Sequence, residues 1–186
     1  MAEGPGGESV IRRAHEADSL CIAVLGTQVF LDTYATEGIR PVLAREVLEA
    51  LSPRAVVERI GEAATTFLVA ERNGHLVGFA QFTAQAGHER VPYASPTELE
   101  RLYVLERFTG RGLGKLLLRH AEDAARASGA DGIWLTCWSR NIRALAFYAS
   151  QGYEELGPTL FEVYGEQHEN RLFAKPLGSM RGRSPG

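Results

Sequence analysis

Arg107-Phe-Thr-Gly110-Arg-Gly112-Leu-Gly114-Lys115 is the stretch on which the reading of this chain turns. Before it, Leu99-Glu-Arg-Leu-Tyr-Val104 has the length and composition of a strand. After it, from about Gly112 to Ser128, residues recur at helical spacing. Leu113, Leu117, Ala121 and Ala124 form the apolar side; Lys115, Arg119, Glu122 and Arg126 form the side expected in water. Three alternating glycines between strand and helix let the main chain turn tightly and let a ligand come close to it. The first N–H groups of a helix lack partners within the helix, and its dipole favours an anion there. A pyrophosphate suits such a place, although glycine-rich turns also serve as plain connectors.

Two familiar phosphate loops do not fit. A Walker A loop would need Gly at 109 and Ser or Thr at 116, where the chain has Thr109 and Leu116. A dinucleotide fingerprint starting at Gly110 would need Gly or Ala at 115, which is Lys115. The next strand also ends in Trp138-Ser139 rather than in an acidic residue for a ribose. ATP and NAD are therefore weaker candidates than another diphosphate ligand.

Outward from the turn, Val10 to Arg13 reads as a short strand. Glu16 to about Asp32 has helical spacing in Leu20, Val24 and Leu31. Pro41 to Ile60 is a second helical stretch, with Leu43, Val47, Leu48 and Leu51 on one face and an interruption at Pro53. Thr66–Arg72 and His75–Phe82 flank Asn73-Gly74, the strongest short hairpin signal. Gly87 to Pro96 is a loop, and the strand following it runs from Glu98 to Val104. Beyond the long helix, capped at Gly129, come a strand at Gly132–Trp138 and a short helix at 141–151. Two strands near 153–163 and 171–175 complete the chain. The order β-α-α-β-β-β-α-β-α-β-β is that of a mixed α/β (α+β) domain.

The chain has 186 residues, enough for one domain with a full core. Residues 1–8 and 178–186 read as flexible tails around a domain at 9–177. A formal net charge of −3 argues against general nucleic-acid binding. Cys21 and Cys137 are far apart and without metal-ligand spacing, and the five histidines form no HExxH pair, so no metal site is expected. The start carries no apolar signal run, and no stretch reaches the ~20 apolar residues of a membrane span. A soluble, cytoplasmic protein with reduced thiols is expected.

Thr109-Gly-Arg-Gly112-Leu-Gly114 resembles the Gln/Arg-x-x-Gly-x-Gly/Ala signature of the GNAT superfamily of N-acetyltransferases, with Thr109 at the position usually held by Gln or Arg. Asn141-Ile-Arg-Ala144-Leu-Ala-Phe147-Tyr148-Ala-Ser-Gln-Gly152-Tyr153 is similar to that family's Asn-x-x-Ala-x-x-Phe-Tyr-x-x-x-Gly-Phe segment. The resemblance covers about residues 8–177. Phe30–Tyr34, Leu99–Val104 and Ile133–Tyr148 look most like bacterial polyamine acetyltransferases.

What the resemblance implies is a central mixed sheet flanked by helices, with two parallel strands splayed apart. It also implies transfer of acetyl from acetyl-CoA to a primary amine, such as a polyamine, by direct attack and without a metal. Main-chain amides of Arg111, Gly112, Leu113, Gly114 and Lys115 would hold the pyrophosphate. Leu102, Tyr103 and Val104 would bond the pantetheine arm, which lies between the strands 98–104 and 132–138. Tyr148 would protonate the departing thiolate while also contacting the coenzyme, or it simply packs. Glu100 would deprotonate the amine, directly or through water; otherwise it is solvated or pairs with Arg101 or Arg107. Asn141 would touch the arm, cap the next helix, or both. Tyr34, Glu37 and Trp138 would line the acceptor side. Cys137 reads as a small buried hydrophobe.

The acceptor could equally be a protein N-terminus, a lysine or an amino acid, and a non-catalytic acyl-CoA sensor would share the coenzyme features. The small-molecule amine partner implies neither nucleic acid nor membrane, and a monomer or homodimer.

Overall fold

The computed structural model describes residues 9–178, so the expected tails at 1–8 and 179–186 lie outside the described residues. The elements are β1 (Ser9–Arg13), α1 (Ser19–Tyr34), α2 (Pro41–Ala50), α3 (Pro53–Ile60), β2 (Thr65–Arg72), β3 (His75–Ala84) and β4 (Pro96–Val104). They continue with α4 (Leu113–Ala127), β5 (Gly132–Trp138), α5 (Ile142–Ser150), β6 (Glu154–Val163) and β7 (Glu166–Pro176). The strands form one mixed seven-stranded sheet in the order β1-β2-β3-β4-β5-β7-β6. β4 and β5 are parallel; β1–β2, β5–β7 and β6–β7 are antiparallel. The mixed α/β class expected from the sequence is what the chain adopts.

Pro53 divides the expected second helix into two. It occupies the first turn of α3, where its missing N–H costs nothing, and Ser52 caps that helix by accepting from the Ala55 amide at 3.1 Å. The loop after β3 covers 85–95, slightly earlier than expected, because Pro96 already belongs to β4. β7 starts earlier than expected, at Glu166, with every residue from there to Ala174 paired with β6 or beside a bulge at Glu155–Gly157.

The chain divides into two compact units. The first extends to Gln81 and resumes over Arg101–His120; the second comprises Phe82–Glu100 and the chain from Ala121 onward. In the first, Ile22, Ala23 and Leu25 of α1 pack with Val56, Phe67, Val69 and Phe79. Leu20 and Val24, which marked the helix in the sequence, point outward and are both 62% exposed. The apolar period located α1 correctly but not its buried side. Leu48 is likewise outside, whereas Leu43, Val47 and Leu51 are buried. Arg12 ties β1 to Asp18, just before α1, and to β2. Its guanidinium donates to both oxygens of Asp18 at 2.7 and 2.8 Å and to Glu71 of β2 at 2.6 Å.

In the second unit, Val91, Trp134, Leu172 and Ala174 form a core, with Tyr93 and Leu156 against it. Asp131 accepts from the amides of Ala94 and Ser95, both at 2.9 Å, and so fixes the approach to β4. The apolar side of α4 is Leu113, Leu117, Leu118, Ala121 and Ala125. Ala124 is only half-buried. Glu122, expected in water, is instead sealed in at 4% exposure. It is held there by a lysine and a tyrosine that arrive from β7 and from the residue before β6. Sequence spacing along α4 contains no trace of either partner.

Candidate active site

The glycine turn lies in the first unit. Glu106–Phe108 make one 3-10 turn after β4, and α4 then begins at Leu113. Gly110 has φ +72° and Gly112 φ +82°, a left-handed backbone that strains any residue with a Cβ. Nothing lies within 4 Å of a Cβ built at either position, so the glycines answer to backbone shape and leave open space above the turn. The Leu116 amide bonds the Gly112 carbonyl at 2.9 Å, so Gly112 stands at the helix cap. The amides of Leu113, Gly114 and Lys115 therefore belong to the first turn, which has no acceptor within the helix. Arg111 and Lys115 are both exposed beside them. Together these groups make a small basin of partial and full positive charge, chemically suited to a diphosphate.

Thr109 does not reach over this basin. Its hydroxyl donates back to the Glu106 carbonyl at 2.8 Å, closing the 3-10 turn. A short side chain at this position satisfies its polar atom locally, where a longer one would extend.

Leu102, Tyr103 and Val104, half-buried on β4, lead into the turn. β3 approaches them closely, since a Cβ on Gly78 would sit 2.7 Å from the Tyr103 carbonyl oxygen. The Tyr103 ring meets Phe79 edge-on at 5.3 Å, and burial raises its phenol pKa above the ordinary value. Arg101 donates to the buried Gln81 at 2.6 Å, a partner on β3 that the sequence did not suggest for it. Tyr34 ends α1 with its ring 4.6 Å from Phe30, and Glu37 is exposed in the turn that follows.

In the second unit, Glu100 is half-buried on β4 and accepts a hydrogen bond from the Thr83 hydroxyl of β3. Nothing in the sequence marked Thr83, because the pairing of β3 with β4 is a tertiary fact. Asn141 caps α5, its Oδ1 accepting from the Ala144 amide at 3.1 Å, so one of its two expected roles is occupied. Tyr148 is buried at 9% exposure in an aromatic cluster: Phe147 at 5.2 Å, Tyr153 at 5.7 Å and Phe173 at 6.2 Å between ring centroids. Trp134 is buried and donates its indole N–H to the Ala86 carbonyl at 2.7 Å, as core packing requires. Trp138 is half-buried, with the Arg140 guanidinium 6.0 Å from its ring. Burial pushes the Cys137 thiol up to about 12, so it remains protonated and inert at neutral pH.

Comparison with known proteins decides the family. The profile of the acetyltransferase (GNAT) family matches residues 35–153, which include the glycine turn, β4, β5 and α5. The chain belongs to the GNAT acetyltransferase family. It is an acetyl-CoA-dependent N-acetyltransferase. An N-acetyltransferase of Lactobacillus delbrueckii is 23% identical over 90% of this acetyltransferase and 96% of its own length. Streptothricin acetyltransferase of Streptomyces lavendulae is 30% identical over 58% of this chain and 55% of its own. The solved PaiA N-acetyltransferase of Thermoplasma acidophilum, in complex with coenzyme A, superposes with a TM-score of 0.68. It is 20% identical and covers 88% of this chain and 98% of its own, a likeness of fold.

No helix of this acetyltransferase, among the described residues, is long and apolar enough to cross a membrane.

Proposed function

We propose that the acetyltransferase acts on a primary amine of a small molecule, with a polyamine as the first candidate, and that residues 9–177 work as one catalytic domain. The observation that carries this reading is the turn at Gly110–Gly112 opening α4, where two left-handed glycines and the first-turn amides make a seat for a diphosphate. Arg111, Gly112, Leu113, Gly114 and Lys115 bind the coenzyme there. The main chain of Leu102, Tyr103 and Val104 bonds its pantetheine arm, with Asn141 alongside. The coenzyme supplies the thioester. A donor aimed at the carbonyl oxygen as it becomes an oxyanion is worth about 3 kcal/mol.

Glu100 takes a proton from the ammonium form of the acceptor, directly or through water, freeing the lone pair that forms the new C–N bond. Tyr148 gives its phenolic proton to sulfur as the C–S bond breaks. The products are an amide and the free thiol of coenzyme A, and the two side chains are reset by proton exchange with solvent. Tyr34, Glu37 and Trp138 contribute to acceptor binding. The hydrogen bond from Thr83 supports the role of Glu100, because it fixes the plane in which the carboxylate meets the amine.

A screen of acceptors with acetyl-CoA, read by thiol release, tests this function. Spermidine, streptothricin, free amino acids and short peptides form the panel. Streptothricin is included because the relative named for it shares 30% identity. Turnover only with peptides would replace the small-molecule reading by a protein acceptor. Binding of coenzyme A with no turnover on this panel would place the acceptor outside these classes. The two cysteines are free thiols, which supports a reducing compartment such as the cytoplasm.

A further inference from the structure

The second unit contains a buried charged cluster that the chemistry above does not use. Glu122 of α4 is 4% exposed. Lys175 of β7 donates to its two oxygens at 2.9 and 3.1 Å, and Arg126 lies 3.6 Å away. The Tyr153 hydroxyl donates to the same carboxylate at 3.1 Å, and the Lys175 ammonium sits 5.3 Å from the Tyr153 ring. The cluster thus grips Tyr153, itself 4% exposed, at its hydroxyl and at its ring. A fold gains little from such an arrangement, since apolar side chains of similar volume commonly stabilise as well or better.

Tyr153 faces Tyr148 in two ways. Its ring meets the Tyr148 ring edge-on, at 5.7 Å and 64°. Its amide donates to the Tyr148 carbonyl at 3.1 Å, closing the end of α5. Burial and the neighbouring Glu122 carboxylate hold the Tyr153 phenol above its ordinary pKa, so it stays protonated and acts toward Glu122 as a donor.

We propose that Tyr153 is a positioning residue for Tyr148. Glu122 anchors its hydroxyl, Lys175 and Arg126 offset the buried charge, and the fixed ring of Tyr153 sets the aim of the Tyr148 phenol. This rests on Tyr148 being the proton donor. Aim matters here, because an acid displaced by about 1 Å can lose on the order of 10²-fold in rate.

The test is a double-mutant cycle on the full chain: Tyr148→Phe, Tyr153→Leu and both together, with Tyr153→Phe and Glu122→Gln as milder variants. Each is assayed with acetyl-CoA and the fastest acceptor of the panel, and its coenzyme A affinity is measured by calorimetry. Tyr153→Leu is expected to lower kcat about tenfold with coenzyme A affinity unchanged, and Tyr153→Phe and Glu122→Gln by about threefold. The double variant should be no slower than Tyr148→Phe alone, because an acid that is absent cannot be misplaced. Should Tyr153→Leu fail to bind coenzyme A, the same cycle is run with Tyr153→Phe. Full multiplication of the two single defects overturns the positioning role and leaves Tyr148 as acid. Wild-type kcat in both Tyr153→Phe and Tyr153→Leu overturns it too. Wild-type kcat in Tyr148→Phe overturns the acid itself, and the positioning role with it.

Discussion

The hydroxyl of Thr83 donates to Oε1 of Glu100, joining β3 to the carboxylate proposed as base. A carboxylate held at one oxygen has a fixed plane, which matters more for proton abstraction than for mere solvation. Glu100→Gln should lower kcat/KM about 10²-fold, the lower range for loss of a general base. Thr83→Val keeps the shape but removes the donor, and should cost about fivefold, equal to ~1 kcal/mol. Initial rates across pH with acetyl-CoA held saturating provide the check. A Glu100→Gln enzyme at wild-type rate would leave water chains alone as the base.

Gly112→Ala probes the diphosphate seat. The residue sits at φ +82° with nothing within 4 Å of the new Cβ, so any penalty is one of backbone shape. A left-handed non-glycine residue costs about 1–2 kcal/mol. Coenzyme A should bind about tenfold more weakly, and the melting temperature should drop by about 3 °C. Gly165→Ala is the control: φ is +81° and the surroundings are equally open, but it lies in the turn between β6 and β7. It should lower the melting temperature alike and leave coenzyme A binding untouched. Equal loss of affinity in both variants would remove the special status of the turn.

Thr109 turns its hydroxyl to the Glu106 carbonyl rather than toward the basin. Thr109→Gln restores a side chain long enough to reach outward, as in the pattern the turn resembles. The expected gain is about fivefold in coenzyme A affinity, one net hydrogen bond. Isothermal titration of the variant settles it, and weaker binding would show that the local bond to Glu106 shapes the seat.

Acid should weaken the tie between β1 and Asp18. Arg12, bonded to Asp18, holds that carboxyl below the usual carboxylate range. A depressed folded-state value stabilises the protein fully above the unfolded pKa of about 3.9. The contribution disappears as pH falls below that and through the lower folded value. Asp18→Asn should therefore cost about 2 kcal/mol at pH 7. Its urea midpoint should approach that of the wild type as pH falls from about 5 toward about 3. Parallel curves for the two proteins over that range would contradict the assignment.

The two cysteines should behave differently toward a thiol reagent. Cys21 is exposed, whereas Cys137 is buried with its thiol pushed up to about 12. At about pH 8 the folded protein should release colour for one thiol, and for two in denaturant. Rapid reaction of both in the native state would place Cys137 outside the core.

Much of this architecture was legible along the chain because it is written in local chemistry. Asn73-Gly74 adopts φ values of +52° and +78°, a turn those residues favour, and the hairpin around it follows. Gly129 has φ +90° at the end of α4, and Asn141 caps α5. Expectation and structure differ where period and burial part company. Leu20, Val24 and Leu48 keep helical spacing yet face outward, since an apolar residue carries no mark of which side the rest of the fold will cover.

The amino-acid sequence alone determined the order of elements, the glycine turn and the family pattern around Tyr148, because each depends on residues within a few positions of one another. Only the tertiary structure decided the burial of Glu122 with Lys175 and Tyr153, the bond from Thr83 to Glu100, and the pairing of Arg101 with Gln81. Those partners lie 17 to 53 residues apart. Polar groups find such partners because the folding sheet removes their water, and a strand or helix has no local signal for what its neighbour will bring.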